Sequence, residues 1–204
     1  NIAETLHRQG AIVSIVQGRS IEDRDPVFVV DEWLNKFRPT HIILGPGPSR
    51  PENSPRTMEI AKRAIEGRLN FDGNQIPLLG WCLGHQAIGL AAGWDLVESP
   101  HGPIHGVPSK IIHNGSGLYD GLDSELIMMR YNSLVLEQSN TLLLPNAWDD
   151  TNQLIMGISH SNLPIHGIQF HPESVGSPDG VSLLQKFLSI SPLNIHSIEN
   201  SKQV

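Results

Sequence analysis

A single cysteine, Cys82, is the only thiol in 204 residues. One thiol excludes an internal disulfide, so packing must hold the fold, and a reducing compartment fits this usage best. Aromatic residues are sparse at 5% of the chain, and no apolar run approaches the roughly 20 residues that a membrane-spanning helix needs. No membrane partner is expected. Positive charge is short as well: 14 Lys and Arg stand against 21 Asp and Glu, a formal net charge of −7. That balance offers no basic surface to a phosphate backbone and argues against nucleic acid as a partner. No signal peptide opens the chain, and a cytoplasmic location is expected. Nor does a methionine open it; Asn1 stands directly inside a helical pattern, so further residues are expected upstream. The length suits one domain with a sizeable core.

The cysteine lies in the most informative stretch, Gly80-Trp81-Cys82-Leu83-Gly84-His85-Gln86. Residues 76–81 are apolar and read as a buried strand, and 83–92 read as a helix, which places Cys82 in a sharp turn between them. This is the pattern of a nucleophile elbow. Glycines two residues before and two after the thiol let strand and helix approach closely. Free amides at the helix N-terminus would favour a thiolate. A lone cysteine in an apolar setting is also compatible with inert packing, and this segment alone leaves both readings open.

Elsewhere the first half alternates helix and strand. Residues 1–9 read as a helix, 11–16 as a strand, and 27–30 as an apolar run after which Asp31 could cap a short helix. Residues 41–44 read as a strand that runs into Gly45-Pro46-Gly47-Pro48-Ser49-Arg50-Pro51, a loop too rich in proline for regular structure. A helix at 56–68 precedes the elbow strand. Such alternation predicts an α/β fold with a mostly parallel, doubly wound sheet, and places ligand chemistry at the carboxyl ends of the strands. Both the 45–51 loop and Cys82 fall at such ends.

After Gly93 the pattern changes to short strands at 109–113, 126–131, 154–159 and 165–170, then a helix at 180–190 and a polar tail. The expected organisation is one domain, 1–190, followed by a frayed tail, 191–204.

A cysteine nucleophile needs a base, and the base needs a third group to orient it. His171-Pro172-Glu173 offers both two residues apart. His85 shares the helix of Cys82 and is poorly aimed at the elbow. His101 and His105 have a metal-like spacing, but the glycine and proline between them oppose a helical two-histidine site, and no metal or other cofactor is expected.

Four separated segments now carry a resemblance: Gly45-Pro46-Gly47, Gly80 to Gln86, Arg130-Tyr131-Asn132-Ser133-Leu134, and Gly167-Ile168-Gln169-Phe170-His171-Pro172-Glu173-Ser174. In order and spacing the chain resembles a class I glutamine amidotransferase, the glutaminase component of anthranilate synthase or of para-aminobenzoate (aminodeoxychorismate) synthase. The resemblance implies hydrolysis of L-glutamine to glutamate and ammonia, with Cys82 as nucleophile, His171 as base and Glu173 orienting it. It implies an oxyanion hole from the backbone amides of Gly47 and Leu83. Gly45, Pro46, Gly47, Gln86, Ser133 and Leu134 would hold the glutamine. The implied partner is a chorismate-binding synthase, as a second polypeptide or a fused domain, serving tryptophan or folate biosynthesis. Val107 and Asn132 depart from the lysine and histidine usual in the family, and Pro48-Ser49-Arg50 departs from its commoner loop. The family begins with a strand that would be central in the sheet, and this strand is expected upstream of Asn1. A free-standing glutamine or γ-glutamyl hydrolase, or an inactive binding subunit that keeps the fold, are the competing readings.

Overall fold

The computed structural model describes residues 2–19, 24–151 and 153–194. Helices α1 (Ile2–Arg8) and α2 (Pro26–Phe37) come first. Helix α2 begins where its capping chemistry lies: the Asp25 side chain accepts from Val27 N at 2.9 Å, and Pro26 fills the first turn, where a missing N–H costs nothing. Asp31 is therefore not the cap. It lies within the helix and pairs with the buried guanidinium of Arg63 at 2.5 Å.

Residues 11–16 form no strand, contrary to their pattern. Ile12 is 98% exposed and Ile15 79%. An apolar run becomes a strand only where a neighbour takes up its backbone groups, and no described strand runs beside it.

Strand β1 (Ile42–Leu44), a 3-10 turn at Pro51–Asn53, α3 (Pro55–Ile65), β2 (Asn70–Phe71), β3 (Asn74–Gln75), β4 (Leu78–Trp81) and α4 (Leu83–Ala91) follow. The second half carries β5 (Asp95–Glu98), β6 (Val107–His113), β7 (Glu125–Arg130), β8 (Leu134–Glu137), β9 (Leu143–Asp149), β10 (Ile155–His160) and β11 (Ile165–Ile168). Helix α5 (Gly180–Leu188) and β12 (Leu193–Asn194) close the described chain. The strands expected after Gly93 all form, within two residues of their bounds. Strands β5, β8, β9 and β12 are additional; in β9, Pro145 and Asn146 mask the strand pattern.

One seven-stranded sheet runs β1-β4-β11-β10-β9-β6-β7. Strands β1 and β11 flank β4 in parallel, and every pairing beyond β11 is antiparallel. The α/β class holds, while among the described residues parallel pairing is confined to these three strands. Parallel neighbours need a long crossover, usually a helix, and between β6 and β11 the connections are turns and a short 3-10 segment.

Both faces of the sheet are covered. Leu78, Ile158 and Ile165 pack with Ile60, Ala61 and Ala64 of α3 and with Ala87 and Ile88 of α4. Leu79, Trp81 and Ile168 face the other way, into Leu183, Leu184 and Phe187 of α5. In the tail, Leu193–Asn194 pairs with β3, so order continues past residue 191, and 195–204 lie outside the described residues.

The sheet curls, and the chain leaving β11 reaches the outer edge of β7. His171 N donates to Met129 O at 2.9 Å, Ser177 Oγ accepts from Met129 N at 2.9 Å, and Asp179 Oδ2 accepts from Ile127 N at 3.0 Å. These bonds occupy an edge that would otherwise stay open to other strands.

Candidate active site

Cys82 has φ 52° and ψ −102°, a conformation that costs a non-glycine residue on the order of 1–3 kcal/mol and persists only where its surroundings enforce it. The surroundings are tight. A Cβ on Gly80 would lie 2.5 Å from Gly84 O, and one on Gly84 would lie 2.1 Å from Leu44 O. Both glycines of the elbow are thus needed for β1, β4 and α4 to meet. Cys82 N donates to Ile168 O at 2.8 Å, which ties the turn to β11. The thiol stays half-buried, at the N-terminal end of α4.

His171 comes to the site from the far half of the chain. Its Nδ1 lies 2.8 Å from Glu173 Oε1, both side chains being nearly buried. Nε2 is also buried, without a hydrogen bond of good geometry. Burial is the largest single influence on the ring and favours its neutral form. Hydrogen bonding and charge from Cys82 and Glu173 together outweigh it and lift the pKa to about 9. At neutral pH this favours the protonated ring, paired with Glu173 through Nδ1. Ser177 Oγ donates to His171 O at 2.6 Å, and the Tyr131 ring meets the imidazole edge-on with centroids 4.9 Å apart.

A chain of buried amides lies beside the sulfur. Gln86 Nε2 donates to Leu134 O at 3.3 Å and to Gln169 Oε1 at 3.1 Å, and Gln169 Nε2 donates to Cys82 Sγ at 3.6 Å. Asn132 Nδ2 also donates to Leu134 O, at 3.1 Å. Asn132 thus anchors the same carbonyl that orients Gln86. Behind it, the buried Arg130 donates through Nε to Asn132 Oδ1 at 3.2 Å and lies 3.7 Å from Asp149 through Nη1.

Gly45, Pro46 and Gly47 leave the carboxyl end of β1, whose Leu44 is in register with Gly80. A Cβ on Gly47 would lie 3.5 Å from Leu83 Cδ1, so this loop and the start of α4 touch. Ser133 is exposed and joined through its carbonyl to Ser99 N. No hydrogen bond links it to Cys82. Residue types alone assign no role to Gln169, Tyr131 or Asn132; the signal available was a polar residue, Gln169, directly after an apolar strand.

His85 is not a base. It is fully buried, both ring nitrogens lack hydrogen-bond partners of good geometry, and burial pushes its pKa down to about 3, against a small opposing effect of the Gly167 backbone. His101 and His105 are exposed, and among the described residues no group of three or more His, Cys, Asp or Glu could hold a metal. No helix among them is long and apolar enough to cross a membrane.

Residues 1–190 match the family described as glutamine amidotransferase class-I. The chain belongs to that family. Among relatives of this amidotransferase, the anthranilate synthase component 2 of Azospirillum brasilense is 38% identical over 170 residues, covering 81% of each chain. The aminodeoxychorismate synthase component 2 of Escherichia coli is 39% identical, over 76% of this chain and 79% of its own. A bifunctional protein TrpGD of Thermotoga maritima is 36% identical over 85% of this chain, which spans 28% of that longer protein. A crystal structure described as that of a GMP synthase subunit, from Thermoplasma acidophilum, superposes with a TM-score of 0.72 over 98% of this chain and 89% of its own. Its identity is 20%, so the likeness concerns the fold alone.

Proposed function

We propose that this amidotransferase hydrolyses L-glutamine to glutamate and ammonia and delivers the ammonia to a chorismate-utilising synthase, present as a separate polypeptide or a fused domain. One observation carries the reading: a cysteine in a strained elbow together with a histidine ring that Glu173 holds at 2.8 Å and whose pKa Cys82 and Glu173 raise. A thiolate so placed is a nucleophile that needs no further proton removal. Cys82 Sγ attacks the carboxamide carbon, and the oxygen takes up negative charge opposite the backbone amides of Leu83 and Gly47. His171 gives its proton to the departing nitrogen, the C–N bond breaks, and ammonia leaves a thioester on Cys82. Water then attacks the thioester carbon while His171 takes its proton, and glutamate departs as the thiolate re-forms. Gln86, with both amide hydrogens committed, presents its oxygen to the substrate, beside Leu134, Ser133 and the 45–47 loop.

Relatives at similar identity bear the names of both anthranilate synthase and aminodeoxychorismate synthase components. The reading therefore covers either destination, tryptophan or folate biosynthesis. The test is ammonia release from glutamine, with and without each type of synthase. Release should rise when the right synthase is added, and the aromatic amine formed from chorismate then names the branch. Cys82→Ser should lower release by at least about 10²-fold. Undiminished release from that variant would overturn the mechanism.

A further inference from the structure

The buried amides beside Cys82 have a fixed direction, and the direction has a chemical consequence. It starts at Leu134 O, a backbone carbonyl that can only accept. Gln86 must therefore turn its NH₂ toward Leu134, and the same nitrogen reaches Gln169 Oε1 at 3.1 Å. With its oxygen so engaged, Gln169 can present only its NH₂ at the other end, where Cys82 Sγ lies 3.6 Å away. Sulfur's larger radius makes this an ordinary donor distance. Reversing the Gln169 amide would set oxygen against sulfur and nitrogen against nitrogen. Gln169 is fully buried, Gln86 nearly so, and Gln169 N is pinned to Met156 O at 2.9 Å, so neither side chain has water as an easy substitute.

We propose that Gln169 is a positioning residue that stabilises the Cys82 thiolate by donating to Sγ and couples it, through Gln86, to the hold on the substrate. This deepens the glutaminase reading and rests on it. The donor favours the charged sulfur over the neutral thiol, because charge-assisted hydrogen bonds are the stronger kind. The titratable groups around the thiol are His171, with Glu173 behind it, and His85 on α4, which burial keeps neutral. Gln169 acts on the thiolate from the β11 side, as an uncharged donor that pH does not remove.

The test uses the absence of any other cysteine: alkylation by iodoacetamide at a series of pH values reports the ionisation of Cys82 alone. Gln169→Met removes both hydrogen bonds at similar size, while Gln169→Glu keeps an acceptor for Gln86 and replaces the donor by a carboxylate. The alkylation midpoint should rise by roughly 1 pH unit in Gln169→Met and further in Gln169→Glu, in proportion to a lost charge-assisted bond. In glutamine turnover, Gln169→Glu should lower kcat with KM near the unsubstituted value, whereas Gln169→Met should also raise KM. Unshifted midpoints in folded variants would overturn the proposal. If neither variant folds, the side-chain amide resonances of Gln169 in the unaltered protein decide: they should follow the Cys82 titration, and a flat response refutes the contact. The alkylation arm needs no turnover, so a chain that fails to hydrolyse glutamine would refute the glutaminase reading while leaving this measurement able to decide its own question.

Discussion

The two halves of the sheet place the two halves of the candidate site by different physics. In the parallel part, β1, β4 and α4 meet backbone to backbone, and Cys82 takes its strained angles because Gly80 and Gly84 leave no room for anything else. In the antiparallel part, His171 is held by hydrogen bonds: its N–H to Met129 O, its carbonyl to Ser177 Oγ, its ring to Glu173. Steric placement is rigid and fails abruptly. Placement by several hydrogen bonds degrades in steps, since each net contribution is only about 1 kcal/mol. A nucleophile that must point out of a tight turn suits the first kind. A base that must exchange protons between partners suits the second.

The largest effect should come from adding one carbon to the elbow. A methyl on Gly84 would sit 2.1 Å from the Leu44 carbonyl oxygen, a backbone atom that cannot move without shifting β1. Gly84→Ala should therefore cost about 3 kcal/mol or more in urea unfolding. Gly176 supplies the control from the other half. A Cβ there would lie 2.5 Å from Met129 Sδ and 2.8 Å from its Cγ, side-chain atoms that a new rotamer can move, whereas a backbone carbonyl cannot, so Gly176→Ala should cost less than Gly84→Ala, about 1–2 kcal/mol. Equal losses from the two substitutions would erase the distinction.

Glu173→Gln should have an intermediate effect, and one that depends on pH. Below about pH 6.5 the imidazole is protonated in the folded and unfolded chains alike, so its pairing contributes fully to stability. As pH rises the unfolded chain loses its proton first, and the contribution falls until the folded ring loses its own near 9. The stability difference between the unsubstituted protein and Glu173→Gln, measured by denaturation at each pH, should thus shrink from about pH 6 to above pH 9. Under the proposed mechanism ammonia release should fall by roughly 10²-fold at neutral pH, because His171 loses the partner that orients its ring. A stability difference that widens with pH would contradict the charged state assigned to His171.

Steric placement also proved the more legible in sequence. The elbow needs glycine at two fixed offsets from the thiol, and those requirements stand as letters in Gly80-Trp81-Cys82-Leu83-Gly84. His171 and Glu173 were readable because only Pro172 separates them. The amide chain was not, since Gln86 meets a carbonyl 48 residues away and a side chain 83 residues away, and nothing local in either glutamine marks the pairing. The same limit explains the misread strand at 11–16. Its β-forming residues describe what the segment could do beside a partner strand, while the fold decides whether one is there. Strand β9 shows the converse: Pro145 and Asn146 disguise a segment that the sheet pairs on both sides.

Among the residues that hold His171 the smallest effect should come from Ser177, and it tests whether the hydrogen-bonded half really degrades in steps. Ser177 Oγ accepts from Met129 N and donates to His171 O, so one hydroxyl both caps the edge of β7 and steadies His171. Ser177→Ala removes both bonds but leaves His171 N on Met129 O and the Glu173 contact intact. The expected cost is about 1–2 kcal/mol, set by one satisfied carbonyl and one N–H left to find a new partner. Ammonia release should drop less than about tenfold, because the ring keeps the orienting contact that fixes its tautomer. Should Ser177→Ala silence the enzyme as thoroughly as Glu173→Gln, the base would be held as stiffly as the elbow, and the contrast between the two halves would be one of chemistry without a difference in tolerance.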